Sequence, residues 1–172
     1  MYKVAADEKK VMVMAYTPSL LVRGEVVVKE SIRVSVLLRT EGAPDYLHFA
    51  NAQVLNFLGG QVRHTAYEEM YLPAAELICF HMAPPEADPL DYDSSEANRV
   101  MEPVTLTVGS FIVKGNARVS TQISFGMGLT GTRVQWMSIY DADISNPLLP
   151  QMGHLLVPLL ILRPSRVLFA LA

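Results

Sequence analysis

Residues 14–34 of this chain recur, altered but recognisable, at 105–125. A shift of 91 residues lays Ser19-Leu20-Leu21-Val22-Arg23-Gly24 on Ser110-Phe111-Ile112-Val113-Lys114-Gly115. Over these windows five of 21 positions are identical, and most of the others keep their apolar or polar class. At an offset of 90, Tyr46 falls on Trp136, and Phe49-Ala50-Asn51-Ala52-Gln53-Val54 falls on Ile139-Tyr140-Asp141-Ala142-Asp143-Ile144. The same offset sets Glu76-Leu77-Ile78-Cys79-Phe80 on Arg166-Val167-Leu168-Phe169-Ala170. Three blocks in constant order imply an internal duplication, so one fold must account for both halves.

The first repeat runs over 11–83 and the second over 101–172. Between them, residues 84–100 open with Pro84-Pro85-Glu86-Ala87-Asp88-Pro89 and stay acidic, a composition that builds no core and reads as a linker. Each repeat has about 70 residues, near the lower end of what folds alone, so the two are expected to pack together.

Within a repeat the signal is strand. Val11–Tyr16 and Val104–Val108 supply a first strand, and Leu20–Val28 and Phe111–Val119 a second. The second strand carries a central glycine, Gly24 or Gly115, and a glycine inside a strand marks a bulge or sharp bend. Residues 31–38 and 122–129 have an ambiguous period and leave a short helix open, with Gly126 and Gly128 weakening it in the second copy. Tyr46–Phe57, Val62–Leu72 and Glu76–Met82 follow as strands, with Gly59-Gly60 and Pro73-Ala74-Ala75 as turns. Val134–Ile144, Leu155–Leu162 and Arg166–Leu171 repeat the series. The expected fold is all-β: two tandem five-stranded small barrels.

This order resembles the Sm-like (LSm) barrel, a variant of the SH3-like barrel. The resemblance rests on Val113-Lys114-Gly115 in the bent strand, on Asp141-Ala142-Asp143-Ile144 ending the third strand, and on the last hairpin, Leu162-Arg163-Pro164-Ser165-Arg166-Val167-Leu168. The chain is also similar to a small uncharacterised bacterial domain family of the same strand order. The Sm-like resemblance implies rings built by strand pairing and RNA bound through two loops. Of the loop motifs, only Arg163 matches; Pro164 stands where the family has glycine, and the Asp-x-apolar-Met-Asn motif has no counterpart. Arg163, Ser165 and Arg166 are therefore the candidate ligand loop, and Gly24 and Gly115 the structural glycines.

Composition narrows the function classes. Lys and Arg number 14 against 17 Asp and Glu, a formal charge of −3, which disfavours a dedicated nucleic-acid binder. Basic residues do cluster, as Arg23, Lys29, Arg33 and Arg39 in one copy and Lys114, Arg118 and Arg133 in the other, but acids such as Glu25 and Glu30 interleave with them. The single cysteine, Cys79, excludes an intrachain disulfide and lies in the apolar run Leu77–Phe80, where a buried, inert thiol is expected. The polar N-terminus lacks a signal-peptide core, and Leu155–Leu162 is too short to span a bilayer, so a cytoplasmic protein without membrane contact is expected.

No catalytic constellation stands out. His48, His64, His81 and His154 lack zinc-site spacing. Asp141 and Asp143 share a strand face and could hold a hard cation, but their counterparts Asn51 and Gln53 carry no charge, which favours a polar strand end. The methionines Met12, Met14, Met127 and Met137 alternate with apolar residues like core fillers. The expectation is a non-catalytic assembly or scaffold protein with no cofactor and no metal; the alternative is a binder of RNA or another anionic ligand through the barrel loops. A hydrophobic fraction of 51% and open edge strands such as Leu155–Leu162 point to a homo-oligomer, a trimer ahead of a face-packed dimer.

Overall fold

A computed structural model describes residues 4–131 and 134–171, so Arg133 lies outside the described residues. The first half contributes β1 (Glu8–Tyr16), β2 (Leu20–Lys29), β3 (Tyr46–Asn56), β4 (Arg63–Pro73) and β5 (Cys79–Met82). The second contributes β6 (Arg99–Val108), β7 (Phe111–Ser120), a short helix α1 (Phe125–Gly131), β8 (Met137–Ser145), β9 (Leu155–Leu162) and β10 (Leu168–Leu171). Val34–Val36, in the segment left open as a helix, is a single 3-10 turn.

All ten strands join in one open antiparallel sheet of order β10-β6-β7-β8-β9-β5-β1-β2-β3-β4. Strand pairing thus links the halves rather than closing each into its own barrel. Each half nevertheless repeats one order, with the fifth strand beside the first and the fourth at the far side. The halves meet where β5 pairs with β9, Cys79 opposite Leu162 and Phe80 opposite Ile161.

The pairing also corrects the alignment of the last strands. Met82 lies opposite Val13 and Leu171 opposite Val104, so β10 follows β5 by 89 residues, not 90, and Phe169 is the counterpart of Phe80. The turn before β5 simply holds one residue more than the turn before β10.

Two apolar cores sit on opposite faces of the central strands. Val13 and Ala15 of β1 point into one, with Phe80, Leu159 and Ile161, while Met14 and Tyr16 point into the other, with Cys79, Leu160 and Leu162. A strand covered on both faces has no polar side to show, hence the unbroken run Leu159-Leu160-Ile161-Leu162, all buried. Leu155–Leu162 is therefore an interior strand held by β8 and β5, not the open edge expected of it. Pro158 is exposed and lies outside the β5 pairing, so it removes no hydrogen bond at the junction.

The intervening segment is tethered rather than loose. Asp88 accepts the Ser35 backbone N–H, and Arg118 bonds the Asp93 carbonyl and pairs with Glu96 at 2.7 Å. Its last residues, Arg99 and Val100, already belong to β6.

Candidate functional site

Both central glycines lie where the β2–β3 and β7–β8 registers slip. The shift falls between Arg23 and Glu25 in one copy and between Lys114 and Asn116 in the other. Opposite them, Asn51 and Asp141 take positive φ values of 52° and 49°, a conformation asparagine and aspartate tolerate better than most residues. The neighbouring strand then crowds the glycine. A Cβ on Gly24 would stand 3.1 Å from the Ala52 Cα, and one on Gly115 only 2.6 Å from Ile139 Cγ2.

Asp141 and Asp143 flank the buried Ala142, so both carboxylates leave the core side of β8. Asp143 takes a hydrogen bond from His154 Nδ1 at 2.8 Å. Among the described residues no group of three His, Cys, Asp or Glu side chains could hold a metal ion.

The buried polar centre of the molecule is His81. Its Nδ1–H donates to the Met82 carbonyl at 2.7 Å, which leaves Nε2 to accept from the Tyr16 hydroxyl at 2.9 Å. Burial pushes the imidazole down to about 4, and the same burial raises the Tyr16 phenol and the Cys79 thiol well above their ordinary values. All three groups are thus neutral near pH 7, and the thiolate needed for nucleophilic work is absent. The cavity touching His81 measures about 10 Å³, room for about one water.

Arg163, in the candidate ligand loop, faces inward to the other repeat. Its Nη2 donates to the Ala74 carbonyl at 2.9 Å and its Nη1 to the Ala75 carbonyl at 3.3 Å, while its guanidinium lies 4.6 Å from the Trp136 ring centroid. Arg166 donates to the same Ala75 carbonyl at 3.1 Å. No bond of the Ser165 side chain accompanies them, and Ser165 itself is exposed. The two arginines therefore bolt the second repeat onto the β4–β5 turn of the first.

A second cross-repeat anchor was not legible in the sequence. Asp91, in the linker, accepts from Arg39 at 2.5 Å, from Ser138 Oγ at 2.6 Å and from the Tyr140 hydroxyl at 2.7 Å. Burial works against its charge, but the bonds from Ser138, Tyr140 and Arg39 outweigh it and hold the carboxyl below the ordinary range. Nothing in the acidic run 84–100 singles Asp91 out; only the tertiary fold brings its three partners together.

The two halves also differ in the segment after the second strand. In the first, Val34 and Leu38 are buried against the core. In the second, glycines occupy part of the segment, none of α1 is buried, and a cavity of about 230 Å³ opens beneath it, lined by Ile123, Phe125, Leu129, Val134, Met137 and Arg99.

The outer edges of the sheet carry part of the exposed apolar surface. β4 is exposed along nearly its whole length and bears Tyr67 and Tyr71. Tyr71 stacks on His48 at 4.6 Å, beside the exposed Tyr46 of β3. At the opposite edge, β10 exposes Leu168 and Leu171. No family model, curated protein or solved structure matches the chain. No helix among the described residues is long and apolar enough to cross a membrane.

Proposed function

We propose that this chain is a non-catalytic assembly protein, made of two Sm-like units that arose by internal duplication, and that it works by associating with copies of itself. One observation carries the reading: each end strand of the open sheet has an unpaired outer edge and bears exposed tyrosines, in β4, or leucines, in β10. An unpaired edge presents N–H and C=O groups ready to pair, and a protein that remains single normally blunts such edges with charge, proline or cover. Here β10 has no charged residue, and β4, although it carries Glu68, Glu69 and Pro73, leaves Tyr67 and Tyr71 exposed. The anionic-ligand alternative has less support, because Arg163 and Arg166 spend donors on the Ala74 and Ala75 carbonyls.

Light scattering coupled to size exclusion tests the proposal. The expected result is a homo-oligomer, with three chains ahead of two. A stable single chain of 19.0 kDa at micromolar concentration refutes it.

A further inference from the structure

The internal junction between the repeats is itself a worked example of how one unit meets another. There, β9 of the second repeat lies antiparallel to β5 of the first, with Leu162 opposite Cys79 and Ile161 opposite Phe80. The counterpart of β9 in the first repeat is β4, and the counterpart of β5 in the second is β10. These are the two strands at the ends of the sheet.

Several residues that the junction buries have counterparts exposed at the ends, although Leu72, the counterpart of Leu162, is already buried. Trp136 is 5% exposed, whereas its counterpart Tyr46 is 56% exposed. Ile161 is 1% exposed, and its counterpart Tyr71 is 59% exposed. Across the joint, Cys79 is 1% exposed against 63% for its counterpart Leu168. Each of these end residues is large and apolar or aromatic, the type selected by a buried contact. Apart from the His48 ring stacked on Tyr71, they are left to solvent.

We propose that β4 of one chain adds antiparallel to β10 of a second copy, in the register of the internal junction. Tyr71 then faces Phe169 and Leu72 faces Leu168. Tyr46 seats against Phe169 as Trp136 does against Phe80, whose rings lie 5.4 Å apart in an edge-to-face arrangement. This rests on the self-association reading above and specifies its partner surface. The contact joins one edge to the other, so it is heterologous, and each added copy leaves a β4 and a β10 free until the assembly closes on itself.

Two features limit the contact. Glu68 and Glu69 in the middle of β4 discourage pairing beyond its C-terminal end, as the short four-residue β10 also requires. At the internal junction the Arg163 N–H donates to the Ile78 carbonyl at 2.8 Å. The corresponding residue in the first repeat is Pro73, which has no N–H, and it brings no guanidinium either. The contact between copies is therefore weaker than the joint within the chain.

Cysteine cross-linking tests the register. Residues facing each other on antiparallel strands have Cα atoms about 4.5–5.5 Å apart, within disulfide reach. A Tyr71→Cys chain and a Phe169→Cys chain are oxidised separately and as a mixture, with the wild type, whose Cys79 is buried, as the blank. The expected outcome is a two-chain product in the mixture and none in either variant alone. Cross-linking of one variant with itself means like edges meet, and overturns the proposal. So does an oligomer by light scattering whose mixture gives no cross-link. A single chain by light scattering refutes the self-association reading itself. As a second measurement, Leu168→Lys is expected to weaken association at least tenfold while leaving the far-ultraviolet circular dichroism unchanged; an unchanged association constant counts against the interface.

Discussion

Replacing Gly115 by alanine adds one methyl group to a strand at its tightest point. The new Cβ would stand 2.6 Å from Ile139 Cγ2, 3.0 Å from the Tyr140 carbonyl oxygen and 3.3 Å from the Ala142 Cα. Ile139 is fully buried, and its Cγ2 is fixed to the β-carbon, so it cannot swing aside as the tip of a longer side chain could. Two of the three obstacles are backbone. Overpacking of this kind costs ~1–3 kcal/mol, offset by ~0.4–1 kcal/mol because alanine restricts the unfolded chain more than glycine does. The net expectation is a loss of about 1–2 kcal/mol. Gly24 is the internal control. Its Cβ would meet Phe49 Cδ1 and the Ala52 Cα at 3.1 Å, so shifts of a few tenths of an ångström suffice, and Gly24→Ala should cost about 0–1 kcal/mol. Valine at either position should cost more than ~1 kcal/mol. Urea unfolding at one fixed protein concentration measures this, as a lower midpoint with unchanged slope. Ile139→Leu removes the obstructing Cγ2, so the double variant Gly115→Ala/Ile139→Leu should cost less than the two singles summed, by at least ~0.5 kcal/mol. A Gly115→Ala protein as stable as the wild type, or less affected than Gly24→Ala, would show that close approach at the bulge is not what demands glycine.

Acid sensitivity should centre on His81. Its value falls from 6.5 when unfolded to about 4 when buried, so between those pH values the unfolded chain binds more protons. Stability should be full above pH 6.5, fall by roughly 3 kcal/mol as pH drops towards 4, and lose no more to this group below that. His81→Gln should flatten that window in a series of urea titrations; an unchanged slope assigns the acid sensitivity elsewhere. Arg163→Ala removes the bonds to Ala74 and Ala75 and the contact with Trp136, and should destabilise by about 1–3 kcal/mol. Trp136 is the only tryptophan, so its emission should shift to the red in the same variant, and Arg163→Lys, lacking the planar fork, should restore only part of either effect. An unmoved emission maximum would mean the guanidinium does not shield the indole.

The β class and the bulge positions were legible in the chain, and both halves take one strand order. Each depends on local rules: side chains alternate across a strand, glycine sits where a neighbour approaches, and a repeated sequence must repeat its fold. Leu20–Gly24 against Phe111–Gly115 located a strand and a bulge in both halves without any structure. The 89-residue spacing of the last strands was not legible, because Ile78-Cys79-Phe80 and Val167-Leu168-Phe169 are apolar at either offset and only their pairing with β1 and β6 separates them.

How the halves join was decided by tertiary structure alone. A run such as Leu155–Leu162 reads equally as a covered edge or an interior strand, since burial on both faces leaves no alternation to show which neighbours do the covering. The sheet resolves it by setting β9 between β8 and β5. That same joint turned Arg163 from a loop residue facing a ligand into a cross-repeat clamp, and drew Asp91 out of an acidic linker onto Arg39, Ser138 and Tyr140. Composition along the chain sets which residues seek burial or a partner; which partners they meet depends on contacts between residues 47–99 positions apart, and no local pattern carries that distance.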